Sequence, residues 1–406
     1  GMAGLWCVAV GYGRKELAQA AYDQMLELPY YNSFFQCSTP PAIKLAEKLA
    51  EVAPAHLNNV FFTGSGSESN DTVLRLVRHY WKTKGEPQKS VIISRKNAYH
   101  GSTVAGASLG GMKYMHEQGD LPIPGIVHID QPYWFAEGGD MDPEAFGLER
   151  AQQLEEKILE LGVNRVAAFI AEPLQGAGGV IIPPASYWPE IQRICDKYDI
   201  LLIADEVITG FGRTGNWFGS ETFGIKADFM PIAKALSSGY LPIGGVMISD
   251  RVANYLKEEG GEINHGYTYS GHPAAAAVAL KNLEIIQDEK LVEKVAEDTG
   301  PYLQKRWAEL LDHPIVGETR GVGLVCALEL VKDKTTRERL APDGKGGGLC
   351  KDFCTKNGLV MRATGDIMLV SPPLVISREE IDELIDKARR SLDDTLEAVN
   401  NGALDD

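Results

Sequence analysis

Short apolar runs alternate with amphipathic segments between residues 55 and 250. Runs that are apolar throughout are typical of strands buried on both faces. Their alternation with helical patterns indicates a parallel sheet with crossover helices. The sequence therefore predicts an α/β core, and its strand candidates are Val60–Thr63, Ser90–Ser94, Ile126–Ile129, Val166–Ala171, Ile200–Ala204, Phe229–Ala233 and Gly245–Ile248.

The segment after the first strand has the period of an amphipathic helix. It ends at Lys84 and Gly85, and a basic residue followed by glycine is a common helix end. We expect one buried face, made of Val73, Leu76, Val77, Tyr80 and Trp81.

The pattern changes beyond about residue 273, where long helices dominate. We expect helices over Ala274–Asp288 and Leu291–Leu311 and strands around Gly321–Leu330 and Met368–Val370. A final helix opens with a capping box, in which Ser377 is followed three residues later by Glu380.

Two domains follow from this change of pattern. We expect residues 34–272 to form a large domain that carries the binding site. A smaller α+β domain is expected from residues 1–33 and 273–406. The apolar stretch Gly1–Tyr12 is expected to enter this smaller domain as a strand.

Composition and charge exclude several classes of partner. The 406 residues are 44% hydrophobic and 24% charged, which is ordinary for a globular chain. A formal net charge of -16 would repel nucleic acid and anionic membrane surfaces. No apolar run reaches the roughly 18 residues that a membrane-spanning helix needs. We therefore expect no nucleic acid and no membrane partner.

The six cysteines show no C-x-x-C spacing and are expected to be reduced thiols in a cytoplasmic protein. Cys350 and Cys354 would share one helix face. Without a neighbouring histidine or a further cysteine, they are interpreted as half-buried thiols, and no metal is expected.

A Gly/Ser loop, Gly64 to Glu68, lies between the first strand and its helix. Free N–H groups and the positive dipole at a helix start bind phosphate, and serine hydroxyls add donors. An ordinary turn is the alternative. A dinucleotide fingerprint is disfavoured, because Ser69 replaces its third glycine and no acid follows Ser94.

Asp205 and Lys234 directly follow two successive strands, so both are expected at the same edge of the sheet. A buried, ionised carboxylate can keep a pyridine nitrogen protonated, and a desolvated lysine has a lowered pKa suited to binding an aldehyde. A capping or salt-bridged aspartate and a solvated surface lysine are the alternatives.

Four further side chains belong to the same set of strand ends. Tyr99 can stack on a flat ring, with His100 beside it, and Val207 can press on the opposite face. Glu172 would add a second acid. Ordinary core packing or helix capping is the alternative for each of them.

The motifs resemble those of class III aminotransferases of pyridoxal-phosphate (PLP) fold type I, and the resemblance covers the whole chain. It rests on Glu172-Pro173, Ala233–Gly239, Tyr99–Thr103, Asp205–Thr214 and His265–Gly271. The chain is most similar to the pyruvate-dependent ω-transaminases of the putrescine/spermidine and β-alanine types. The resemblance implies a mainly parallel seven-stranded sheet in the large domain.

The resemblance also implies roles for individual residues. Ser65, Gly66 and Ser67 would bind the phosphate, Tyr99 and Val207 would cover the two ring faces, and His100, Glu172 and Asp205 would lie around the cofactor. Lys234 would hold the cofactor covalently. Thr268 would reach the phosphate of a neighbouring subunit, which implies a homodimer or a dimer of dimers. Trp6 and Phe34 would form substrate walls, and Arg362 would clamp the keto acid's carboxylate.

Two departures from the family pattern stand out. Family members carry roughly fifty residues before the point that matches Gly1, so the segment that helps to cover the active site is expected to be missing. Ala235 replaces the usual glycine after the lysine, and Ala9 replaces an asparagine. Both are small changes.

These observations favour a PLP-dependent ω-transaminase that moves an amino group from a primary amine, such as putrescine or an ω-amino acid, to pyruvate. Three alternatives stay open. They are a PLP-binding but inactive homologue, another fold type I enzyme such as an aminomutase or decarboxylase, and a nicotinamide-dependent dehydrogenase.

Overall fold

A mainly parallel seven-stranded sheet forms the centre of the molecule, as the sequence predicts. The computed structural model describes residues 1–404. The sheet's strands are β1 Asn59–Thr63, β2 Val91–Arg95, β3 Ile126–Ile129, β4 Val166–Ala171, β5 Leu201–Ala204, β6 Phe229–Ile232 and β7 Gly244–Ile248. They lie in the order β1-β7-β6-β5-β4-β2-β3. Only β7 runs antiparallel to its neighbours, so the other six strands end at the same edge.

Helices cover both faces of this sheet because its strands are apolar on both sides. The helices before residue 260 are α1 Lys15–Glu27, α2 Pro40–Val52, α3 Gly66–Thr83, α4 Val104–Leu109, α5 Lys113–Gly119, α6 Trp134–Glu137, α7 Pro143–Leu161, α8 Tyr187–Lys197, α9 Gly219–Phe223 and α10 Asp250–Glu259. The predicted apolar stripe of α3 packs with α10 in a core on one face. Helices α7 and α8 form a second core on the other face.

A second, antiparallel sheet lies in the C-terminal part of the chain. Its strands pair in the order β10-β9-β12-β11, with β8 also paired to β9. The elements are α11 Pro273–Asp288, α12 Leu291–Lys294, α13 Gly300–Ala308, β8 Val316–Val322, β9 Val325–Asp333, β10 Glu338–Arg339, α14 Lys345–Lys356, β11 Arg362–Thr364, β12 Ile367–Val370 and α15 Arg378–Asn400. Helix α15 begins with the predicted capping box of Ser377 and Glu380.

Two details of the prediction are wrong. The expected helix over Leu291–Leu311 is interrupted by a π-helical turn, Val295–Thr299, and it ends in a 3-10 turn. Pro301 lacks an N–H group, so the regular ladder of hydrogen bonds cannot pass through it. The stretch Gly1–Tyr12 forms turns with a single bridge from Met2 to Ser371, rather than a strand.

The N-terminal residues lie against the C-terminal part of the chain. Ala3 N donates to Ser371 O, and Leu374 N donates to Ala9 O. Helices α1 and α2 both pack on α11. The domain boundaries at residues 33 and 272 remain predictions.

All six cysteines are free thiols. Among residues 1–404, no helix combines the length and apolar character that crossing a membrane requires. The same residues contain no group of three or more His, Cys, Asp or Glu side chains that could hold a metal ion.

Candidate active site

A cavity of about 380 Å³ opens at the edge of the sheet where the parallel strands end. This is where open α/β sheets place their ligands. Nine of the predicted site residues line it: Ser65, Gly66, Ser67, Tyr99, His100, Glu172, Asp205, Val207 and Lys234. The sequence reasoning did not single out Asn70, Ile208, Ser237 or Leu241–Ile243, which also line the cavity.

Asp205 is buried, and donors surround its carboxylate. His100 Nδ1 lies 2.7 Å from Asp205 Oδ2, and Asn70 Nδ2 donates to the same oxygen at 2.9 Å. The other oxygen, Oδ1, accepts from Val207 N at 3.1 Å. These three contacts fix the orientation of the carboxylate at the base of the cavity.

Asn70 has a second hydrogen bond that the sequence reasoning missed. Its Nδ2 also donates to His100 O at 2.9 Å, so one amide orients both members of the Asp205–His100 pair. A signal for this residue was available, because position 70 lies on the buried stripe of α3, three residues before Val73. A polar residue on an apolar stripe needs a buried partner.

Lys234 begins a 3-10 turn directly after β6 and has a left-handed backbone, with a φ of 47°. Burial lowers the pKa of its amine to about 8, while the negative charges of Asp205 and Glu172 act in the opposite direction. With a pKa near 8, about a tenth of the amine is neutral at pH 7, which is far more than for an ordinary lysine. Lys234 is thus able to act as a nucleophile and as a proton carrier.

Glu172 is fully buried, and burial raises the pKa of its carboxyl group. Its two oxygens accept from Tyr99 N at 3.1 Å and from Gly176 N at 2.8 Å. Arg95 donates to the backbone carbonyl of Glu172 at 2.6 Å. In this structure Glu172 orients the backbone of Tyr99, which places the tyrosine ring at the cavity wall.

The N-terminus of α3 closes one side of the cavity. Ser65 caps the helix, since its Oγ accepts from Glu68 N at 3.2 Å, and Ser67 Oγ accepts from Ser102 N at 3.1 Å. The first amides of a helix have no intrahelical acceptor and face an incoming anion. Gly66 is required for close packing, because a Cβ there would lie 3.0 Å from both methyl carbons of Val207.

Four predicted residues do not line this cavity. Trp6 is 1% exposed and packs in an apolar cluster that also contains Ile208 of the cavity wall, whereas Phe34 lies in another depression beside Gly266. Thr268 is exposed, and its backbone carbonyl accepts from Tyr30. Arg362 is partly buried at the start of β11, where its charge contributes to the lowered pKa of Lys234.

Comparison with known proteins identifies the family. The family model "Aminotransferase class-III" matches residues 1–392. The chain belongs to the class III aminotransferases.

Curated relatives match along nearly the whole chain. A putrescine–pyruvate aminotransferase from Pseudomonas aeruginosa is 66% identical over 398 residues, which is 98% of this chain and 87% of that protein. A diaminobutyrate–2-oxoglutarate transaminase from Halomonas elongata is 46% identical, with 98% of this chain and 87% of that protein covered. The crystal structure of an ω-transaminase from Pseudomonas jessenii in complex with PMP superposes with a TM-score of 0.96 at 45% identity. It covers 99% of this chain and 89% of that one.

This class III aminotransferase is a PLP-dependent enzyme. The cavity fits the cofactor in its chemistry. It offers a buried carboxylate for a pyridinium nitrogen, an amine of lowered pKa for an aldehyde, and a helix N-terminus for a phosphate.

Proposed function

We propose that this class III aminotransferase is an ω-transaminase that moves an amino group from a primary amine of the putrescine type to pyruvate by ping-pong chemistry. An aldehyde and alanine are the products. The observation that carries the proposal is the convergence of Lys234 and Asp205 on one cavity. The choice of substrates is supported by the 66% identity to a putrescine–pyruvate aminotransferase.

Each residue of the cavity has a task in this proposal. PLP, when bound, supplies an aldehyde that receives the amino group and a ring that accepts electrons. Asp205 provides the negative charge opposite the ring nitrogen, and His100 and Asn70 keep its carboxylate oriented. Lys234 Nζ would hold the cofactor, and once released it would carry a proton from the substrate carbon that bears the amine to the carbon that was the cofactor's aldehyde. Glu172 keeps Tyr99 in place.

The phosphate and the two ring faces are assigned to the remaining cavity residues. The phosphate would be held by Ser65, Gly66 and Ser67 at the start of α3, where the backbone amides and the helix dipole favour an anion. Tyr99 would stack on one face of the ring, and Val207 would pack against the other.

The residues outside the cavity fit a site shared between subunits. We propose a homodimer in which Thr268 reaches the phosphate of the partner's cofactor, because Thr268 is exposed in this chain. Phe34 and Trp6 would form aromatic substrate walls, and Arg362 would bind the carboxylate of pyruvate in a bidentate manner. The strong negative charge of the chain suits cationic diamines and a cytoplasmic enzyme without a membrane partner.

The test incubates the purified protein with PLP, pyruvate and either putrescine, cadaverine or β-alanine, and measures alanine. We expect alanine with putrescine, loss of both turnover and the cofactor's visible absorbance in Lys234→Ala, and normal turnover in the exposed control Lys226→Ala. Full turnover in Lys234→Ala would show that another residue holds the cofactor.

Other outcomes identify the alternatives. Cofactor absorbance without alanine from any donor would favour an inactive PLP-binding homologue. An isomerised or decarboxylated product without alanine would favour another reaction on the same fold.

A further inference from the structure

The turn that carries Lys234 has an unusual backbone. Lys234 has a φ of 47° and Ser238 a φ of 50°, both in the left-handed region that residues other than glycine rarely adopt. Strained conformations of this kind persist when the surrounding structure holds them. The contacts that hold this turn are therefore of functional interest.

Asn282, on helix α11, supplies two of these contacts. Its Nδ2 donates to Ala235 O at 2.8 Å and to Leu236 O at 3.0 Å, which are the two residues directly after Lys234. Asn282 is 0% exposed and lies on an otherwise apolar helix face. A buried amide in that position needs hydrogen-bonding partners, and the Lys234 turn provides them.

Ser238 completes the network. Its hydroxyl donates to Asn282 Oδ1 at 2.6 Å and accepts from Ala9 N and Val10 N, each at 3.2 Å. Because the serine oxygen already receives two N–H groups, its own proton points to Asn282, which fixes the orientation of the amide. The turn is thereby tied to α11 on one side and to the N-terminal segment on the other.

We propose that Asn282 and Ser238 are positioning residues for Lys234, holding its turn in the left-handed conformation that directs Nζ into the cavity. Neither side chain is among the residues that line the cavity, so they act through the backbone of the turn. The inference rests on the role proposed for Lys234 and is independent of which amine is the donor.

The test compares Asn282→Ala, Ser238→Ala and Ser238→Gly with the native enzyme. Glycine adopts a positive φ without strain, so Ser238→Gly removes the hydroxyl while it relaxes the backbone. The matched control is Ser391→Ala, which truncates another fully buried serine that is hydrogen-bonded to Lys387 O and Asn357 and lies outside this network.

Two measurements separate positioning from general destabilisation. For the network variants we expect kcat to fall by about tenfold or more, with KM for pyruvate within about twofold, because a misplaced reacting group loses transition-state stabilisation. We also expect the pH midpoint for uptake of PLP by the cofactor-free protein to rise, since a loosened turn admits water to the amine. Ser391→Ala should change neither quantity.

The proposal is overturned if Ser238→Gly keeps native kcat and the native pH midpoint, or if Ser391→Ala shows the same losses as the network variants. If Asn282→Ala does not fold, the kcat and the pH midpoint of Ser238→Gly are sufficient to test the proposal. Native protein that takes up PLP but makes no alanine from putrescine would contradict the proposed donor, and the uptake midpoint would still test the positioning. Full turnover retained in Lys234→Ala would contradict both.

Discussion

The two oxygens of Asp205 are treated differently by the protein. Oδ2 accepts hydrogen bonds from His100 and Asn70, whereas Oδ1 accepts one only from the backbone N–H of Val207. Three hydrogen-bonding partners thus hold this carboxylate in one orientation. Its electrostatic effect on a ligand in the cavity is therefore preorganised, which is how charged groups contribute most to catalysis.

Replacing this carboxylate with an amide tests the effect of its charge. Asp205→Asn keeps a side chain of the same shape and removes the charge, so we expect kcat/KM to fall by about 10²- to 10³-fold. Steady-state kinetics with putrescine and pyruvate would measure it. Asp228→Asn, at the opposite edge of the sheet just before β6, is the matched control and should retain most of the activity. Equal losses in both variants would contradict the assignment.

The lowered pKa of Lys234 predicts a pH dependence for cofactor loading. Only the neutral amine attacks an aldehyde, and its fraction rises as the pH passes through the pKa. With a pKa of about 8, the rate of PLP uptake by the cofactor-free protein should rise between about pH 7 and pH 9 and level off above that range. Stopped-flow absorbance would record it. A rise centred near the ordinary lysine pKa of about 10.4 would contradict the desolvation of this amine.

At the scale of single elements, the start of α3 depends on tight contact with the loop after β5. Gly66 is the point of contact, and a side chain there would meet Val207.

Gly66→Ala should therefore push the two segments apart and weaken PLP binding, with an expected loss of affinity of about tenfold or more. Fluorescence titration with PLP would measure the affinity. Gly348→Ala, in α14 where nothing lies within 4 Å of the added carbon, distinguishes crowding at Gly66 from a general effect of added side chains. Native affinity in Gly66→Ala would contradict the prediction.

Helices and strands could be predicted from the sequence where the burial of apolar side chains alone set the pattern. The apolar strands and the stripe of α3 are examples, because burial on both faces or on one face leaves a clear period. The helix after Leu291 could not be placed correctly. Its apolar pattern continues through Gly300 and Pro301, while the missing N–H of the proline changes the backbone, and a hydrophobic pattern does not report hydrogen bonding.

At the scale of the whole molecule, strand order explains which site residues the sequence could predict. Residues that end neighbouring strands converge on one edge, so Asp205, Glu172 and Lys234 were predictable from position alone. Asn70 and Leu241–Ile243 reach the cavity from a helix and from the loop before an antiparallel strand, and a rule about strand ends does not include them. The roles of Arg362 and Thr268 came from family resemblance, and they remain predictions.

Arg213 joins the two halves of the molecule. It is 2% exposed, and its Nη1 donates to Leu324 O at 3.1 Å and to Pro372 O at 2.5 Å, both in the C-terminal part. Arg213→Lys should leave at least one buried carbonyl unpaired and reduce the free energy of unfolding by about 2 kcal/mol. Thermal or urea denaturation would measure it.

The control for this prediction is an arginine on the surface. Arg378→Lys alters an exposed ion pair with Asp298 and should change stability by less than about 0.5 kcal/mol. If both substitutions lowered the free energy of unfolding by similar amounts, the buried hydrogen bonds of Arg213 would contribute no more to stability than an exposed ion pair does.

The reversed direction of β7 has a practical consequence for how the enzyme can be attached to a solid support. Since β7 ends at the edge away from the cavity, the corner between Ile248 and α10 faces the rear of the sheet together with the beginnings of the parallel strands. A linker anchored on that rear edge would leave the cavity mouth turned toward the bulk solution. The segment that leads into β7, which includes Leu241 and Ile243, is unsuitable for a linker because it forms part of the cavity wall.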